Sequence, residues 1–515
     1  MGTDPIVFNE KNDFARNTTL GGGEIELKYA KNSRTYIKNV LVYENRPERT
    51  NRNAIFNDQI IRENLRQQEF SLANHLEHSY LIGEKTLLHS YLHFSQNRIK
   101  QDSDIDSPVL NDFLSQSNVS RIKHKATDEA TNFGGSSSFI LNLGRLKTNL
   151  EIGYESINEA RSNVFLITDQ NVETEVDSLS NTVNFKQQTV GFKGEFEYSL
   201  SKHIELSGRL KLDHVNLEYG RLHRKRWLFN PKIRLAFKNL NIGYLSLSFG
   251  QSFNVPKSNM FLESYQLRSF QSFVLGAEDL LFPNRNRFAL YYQIANDLQT
   301  KSLTVSAQYD DVNGRYSTNN QIGNNVRLTN YSFVESGQSF STKIDFTNYY
   351  SKLNISTNLG TVQNISSVPI NANNSGFQDL KTFRSSYFIS ATTYFDFPVN
   401  MKFKTSLNYA KSNFNSVIAK RNWQTIDAKA TYKFSKVWIA SLNNNAYFIE
   451  GGTYIFTDFK LEITPKKSRY SYRVIVNNIL NQDNYSVVDI NGFSAYRSEI
   501  RLLPRYLFAS IKYRF

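Results

Sequence analysis

Cysteine is absent from all 515 residues, so neither a disulfide framework nor a thiolate metal site can be built. Proline is scarce, with ten in the whole chain, and methionine and tryptophan number three each. Against these stand 29 tyrosines and 38 phenylalanines, a bias toward strands. No run of about 18 apolar residues occurs, which excludes a transmembrane helix. The mean hydropathy of −0.48 is that of an ordinary soluble protein. It excludes no membrane barrel, because a spanning strand needs an apolar residue only at every second position. The opening Met1-Gly2-Thr3-Asp4-Pro5 lacks the apolar core of a signal peptide.

What is abundant is positive charge, +14 overall. A nucleic-acid binder would concentrate it on one face or stretch. Here lysine and arginine are spread along the chain with acids between them, so no nucleic-acid partner is expected. The densest cluster, Arg221-Leu222-His223-Arg224-Lys225-Arg226, falls in a predicted loop. It reads first as a solvated loop and second as a surface for anions. On the second reading Arg224, Lys225, Arg226 and Trp227 are candidate ligand-binding residues.

The apolar residues alternate. Over 203–215, Ile204, Leu206, Leu210 and Leu212 share one face, and Glu205, Ser207, Arg209, Lys211 and Asp213 the other. The stretches 190–198, 245–252 and 401–409 repeat the pattern. A β-sandwich also alternates. Three further features favour a membrane barrel. The strands run to about 10–14 residues, long enough to cross a bilayer at a tilt. Aromatic pairs such as Tyr349-Tyr350 and Tyr447-Phe448 crowd the strand ends. Short turns alternate with longer connections such as 45–67, 97–130, 161–185, 219–225 and 256–285. The spacing therefore predicts an all-β fold, a large antiparallel transmembrane β-barrel of about 21–22 strands with short periplasmic turns and long extracellular loops. Glu205, Arg209, Lys211 and Asp213 should face the lumen. Residues 22–515 form this barrel, and 1–21 are a polar N-terminal segment, an outer loop or the remnant of a first strand.

The final stretch alternates too, with Leu507, Ala509, Ile511, Tyr513 and Phe515 on one face and Ser510, Lys512 and Arg514 on the other. A chain-terminal aromatic with a second two residues back resembles the closing strand of a TonB-dependent outer-membrane receptor barrel. Tyr472-Arg473-Val474-Ile475-Val476-Asn477-Asn478-Ile479-Leu480-Asn481 looks like that family's penultimate strand. Ser252-Phe253-Asn254-Val255-Pro256, then Leu275-Gly276-Ala277-Glu278-Asp279-Leu280 and Pro283, looks like its mid-barrel connection. There Ala277 replaces the common Asn, and Asn284 the common Glu. The resemblance covers about 22–515. It implies a bacterial outer-membrane location, contact with membrane lipid and lipopolysaccharide, and assembly through Ile511, Tyr513 and Phe515 by the barrel-assembly machinery. It also implies active uptake of a siderophore, peptide, glycan or similar ligand, driven by the TonB-ExbB-ExbD complex through an N-terminal region. No plug domain is recognised. The chain is expected to be N-terminally truncated, lacking signal peptide, plug and most of a first strand.

No catalytic constellation stands out, and no enzyme or cofactor is expected. His89 and His93 share a face but lie about 13 Å apart along a strand, too far for one metal. His75 and His78 point to opposite faces. A passive porin-like channel of about 16–18 strands and a surface β-rich adhesin are the alternative readings.

Overall fold

The structure is a computed structural model. It describes residues 10–31, 34–56, 58–106, 111–114, 119–169, 172–239, 242–269, 271–296, 298, 300–323, 326–373, 376–415, 417–450, 452–465, 468–491 and 494–513. Almost all of it is strand, with one helical turn at Asn111–Leu114 and 3-10 turns at Asp177–Leu179 and Ser258–Met260.

The strands form one 25-stranded sheet and a separate hairpin, Asn484–Asn491 with Ser494–Arg501. Three short members of the large sheet, Val172–Glu175, Gln266–Ser269 and Ser272–Leu275, decorate its outer tips. Glu10–Thr18 and Gly21–Lys31 are halves of one strand, since both pair with Thr35–Phe56 in a single register. What remains is a continuous antiparallel meander of 21 strands among the described residues, ending in Tyr470–Asn477 paired with Tyr506–Tyr513.

The meander curls into a barrel. The Gln271 amide donates to Glu10 on the first strand at 3.3 Å, and the Gln271 carbonyl accepts from the Arg327 N–H at 2.8 Å. Arg327 opens the thirteenth strand, Arg327–Tyr350. Laid flat, those two strands would stand roughly 58 Å apart.

The short turns fall where the sequence places them. Leu143 and Leu146 are joined by two residues, with Gly144 at φ 73°, a conformation that glycine adopts without penalty. The long connections are different. The segments 45–67, 97–130 and 161–185, expected as loops, are mostly strand. Thr35–Phe56 runs 22 residues, Val119–Leu143 runs 25 and Leu146–Asp169 runs 24. A spanning strand needs only about 9–11 residues. The rest of each hairpin stands in water, where pairing with its neighbour satisfies the backbone. There is likewise no break at 21/22, because 10–18 extends the same strand in the same register.

Candidate functional site at the outer mouth

Inward and outward residues alternate along the wall strands, and on the best-defined of them the polarity of the two faces inverts partway. On Ile204–Tyr219 the odd positions up to Asp213 are polar, and the even ones, such as Leu210 at 50 % exposure, are apolar. Beyond that point the odd positions Val215, Leu217 and Tyr219 are apolar and buried, while His214, Asn216 and Glu218 are not buried. The inner face becomes apolar where something covers it. The outer face becomes polar where lipid ends and water begins. The His214 and Trp227 rings lie across the strand pair at this level, 4.8 Å apart.

Two apolar cores cover the inner face. One gathers Ala54, Phe56, Ile61, Ile122, Phe165 and Ile167 from the tall hairpins, with Leu267 and Phe273 from the Gln266–Leu275 region and Val326 from across the mouth. The second gathers Val215, Leu217, Leu228, Phe261, Leu280 and Phe282, so the 254–283 connection lies against the inner wall. Gly276 permits that packing: a Cβ there would sit 1.8 Å from the Leu262 nitrogen. The Tyr316 hydroxyl donates to the Asp279 carbonyl at 2.8 Å and accepts from the Leu281 N–H at 2.7 Å. Burial pushes that hydroxyl up to about 12. The Ser258 hydroxyl donates to the Glu159 carboxylate, and Arg161 donates to Ser258 at 3.3 Å. Together these groups form a lid over the tall side of the barrel.

One titratable group sits within the lid. His124 is 1 % exposed, with its Nε2 bonded to Asn163 and its Nδ1 without a partner. Asn163 in turn donates to the Leu179 carbonyl at 2.7 Å. Burial holds the imidazole below its ordinary value; the Asn163 bond opposes this and the Arg268 charge adds to it. A base depressed on folding binds fewer protons folded than unfolded. Its contribution to lid stability is therefore full above the unfolded value of about 6.5 and is lost as pH falls through and below it. The protection factors of the amides at 119–125 and 163–167, corrected for the intrinsic pH dependence of exchange, should fall as pH drops from 7.5 to 5.5. The dependence should flatten in His124→Asn; an unchanged pH profile in that variant would contradict the assignment.

The sequence-derived residues disperse. Arg224 to Trp227 belong to a strand, Leu222–Asn239, and not to a loop. Arg226 shares the inner face with buried Leu228, and its guanidinium lies 5.1 Å from the Phe253 ring and 5.8 Å from Phe282. Arg224 shares that parity, whereas Lys225 and Trp227 have the other, and Trp227 is 63 % exposed. A two-residue tip at 220–221 suffices for the hairpin, so period two splits the four residues between faces. Glu205, Arg209, Lys211 and Asp213 share one parity, opposite to that of exposed Leu210 and Leu212. Lys211 meets Asp213 at 2.8 Å, Arg209 lies opposite Glu195, and Glu205 pairs with Lys238. In the last strand Ile511 is exposed, and the Tyr513 ring packs 4.9 Å from Tyr470. Phe515 lies outside the described residues.

His75 and His93 are direct cross-strand neighbours, an arrangement that sequence spacing did not reveal. Tyr91 stacks on both rings, and its hydroxyl lies 2.7 Å from His75 Nδ1. Among the described residues no three His, Asp or Glu side chains assemble to hold a metal.

No family model matches the sequence, and no curated protein matches it. Solved structures do. The copper transporter OprC is similar with a TM-score of 0.55 at 10 % identity, over 99 % of this chain and 80 % of that one. FpvA of Pseudomonas aeruginosa, bound to a heterologous iron pyoverdine, is similar with 0.51 at 9 % identity, over 98 % and 71 %. The ferric-catecholate import receptor Fiu of Escherichia coli K12 is similar with 0.50 at 10 % identity, over 98 % and 81 %. At such identities the likeness is one of fold. This chain has the fold of a TonB-dependent outer-membrane receptor barrel.

Proposed function

We propose that the barrel is an outer-membrane receptor for active uptake of a ligand of the siderophore, peptide or glycan class, driven by the TonB-ExbB-ExbD complex. The observation that carries this reading is the lid. A wide, charge-lined lumen whose outer mouth is covered on its tall side by packed apolar cores suits a receptor better than an open pore. A porin-like channel of about 16–18 strands also fits less well than the 21 observed. On this reading the apolar outward band contacts lipid and lipopolysaccharide. The Tyr506–Tyr513 strand is the signal for barrel assembly.

The test is accumulation of labelled ferric citrate and ferric tris-catecholate in cells with and without the gene, each with and without a protonophore. Gene-dependent accumulation that the protonophore abolishes is expected. Gene-dependent entry that ignores the protonophore and tracks the outside concentration would assign a passive channel instead.

A further inference from the structure

The inner wall is electrostatically lopsided. On one side carboxylates stand among the lumenal cations: Lys193 meets Glu151 at 2.7 Å, Lys211 meets Asp213 at 2.8 Å and Lys238 pairs with Glu205, while Arg209, Lys232 and Arg234, which form no ion pair among the described residues, share a cavity with Glu195 and Glu197. The strands Gln378–Thr393, Val399–Phe414 and Val417–Lys433 differ. Their outward positions are apolar and exposed, as at Tyr387, Ile389, Met401, Phe403 and Leu407. Their inward positions therefore carry Arg384, Lys402, Lys404, Arg421, Lys429 and Lys433, against a single carboxylate, Asp427. None of the six cations forms an ion pair among the described residues.

Two of these cations converge near the outer rim. Arg384 and Arg421 are both cross-strand partners of Ala410, and Trp423 lies opposite Asn408. They line a cavity of about 350 Å³ together with Asn364, Thr382 and Asn408. The Arg421 guanidinium lies 5.0 Å from the Trp423 ring centroid, and its Nε is buried with no hydrogen-bond partner. Arg421 is four residues past the start of its strand, so the cavity is within roughly 13 Å of the hairpin tip. The rim is low here, with strands of 16 and 17 residues against 22–25 on the tall side. The apolar core joining the tall hairpins draws on no residue beyond Leu328.

We propose that Arg384, Arg421 and Trp423 form a subsite for an oxyanion group, carboxylate or phosphate, of the ligand that enters at the low side of the mouth. This rests on the uptake reading. The chemistry is direct. Two guanidiniums without an ion-pair partner, Arg384 exposed on the wall and Arg421 half-buried beside it, are strong donors to a planar or tetrahedral oxyanion. An indole face beside them accepts a ring or apolar part of the same molecule. The donors Asn364, Asn408 and Thr382 supply neutral hydrogen bonds. Lys404 and Lys402, further down the same inner face, offer the anion its next counter-charges toward the inner side.

The test uses the full chain in detergent, with Trp227 and Trp438 replaced by phenylalanine so that fluorescence reports Trp423 alone. Calorimetry is run in parallel. Inorganic phosphate, citrate and neutral sucrose are the probes. Saturable binding of phosphate, citrate or both, with no response to sucrose, is expected. A phosphate-only response assigns a phosphate-bearing ligand, and a citrate-only response a carboxylate. Affinity should fall about tenfold in Arg384→Gln and in Arg421→Gln. It should fall with added salt and stay unchanged in Lys202→Gln at the far turn. Heat-modifiable migration in gels verifies that each variant is folded. The subsite is overturned if the Arg384→Gln/Arg421→Gln double variant titrates like its parent. It is equally overturned if neither anion binds the folded parent by either readout. Protonophore-sensitive uptake in cells without anion binding to the purified chain would keep the receptor and remove the subsite. Anion binding without such uptake would do the reverse.

Discussion

Replacing Leu210 with arginine should cost the barrel about 2–4 kcal/mol in a refolding titration, whereas arginine at Ser207 should cost little. The two positions are three residues apart on one strand and differ in parity. Leu210 is half exposed on the outward face, in register with Gly194 and Pro231 on its neighbours, with no polar partner in reach of a charge. Arginine there must strip its guanidinium of water or drag headgroups inward. Ser207 lines an inner-wall cavity shared with Glu195, Glu197 and Arg209, where water and carboxylates receive a new cation. Equal destabilisation at both positions would mean that the inward and outward assignments of this strand are wrong.

Phe165→Ala should remove about 3–5 kcal/mol of lid packing while leaving the membrane band intact. The ring is 1 % exposed, 6.2 Å from Phe273 and 6.3 Å from His124 by centroid. It joins the tall hairpins to the connection that crosses the mouth. No filler is at hand for the vacated volume, because the neighbouring hairpins are fixed by their ladders. Backbone exchange should rise at 119–125, 163–167 and 272–275, with unchanged protection in the Ile204–Tyr219 strand below Asp213. Global unfolding in place of this local loosening would show that lid and barrel form one cooperative unit.

The alternation of the wall strands was legible residue by residue. Ile204, Leu206, Leu210 and Leu212 against Glu205, Arg209, Lys211 and Asp213 is a pattern of period two, and a strand has no other way to present it. The short turns were equally readable, because a brief break between alternating runs leaves the chain little choice but to reverse. The tall hairpins were not readable. In 45–67 and 97–130 the outward positions are charged and the inward apolar residues are few and spaced: Ala54, Phe56, Ile61, Ile105, Val119 and Ile122. A local window sees a polar stretch. Only the partners from Phe273 and Val326, hundreds of residues away, make those positions a core.

The candidate sites divide the same way. Arg224, Lys225, Arg226 and Trp227 are neighbours in sequence and so attracted attention together, yet a strand sends consecutive side chains to opposite faces. Arg384 is separated from Arg421 and Trp423 by a strand and its turns, so the three had no joint sequence signal. The sequence by itself determined an antiparallel barrel and the period-two alternation of its strands, because these follow from local alternation and loop length. The tertiary structure alone decided the lid, the inversion of face polarity above the membrane and the meeting of two arginines and an indole on one wall. Those depend on which strands stand beside each other in the curled sheet and on what covers their upper ends, information that no single stretch of the chain contains.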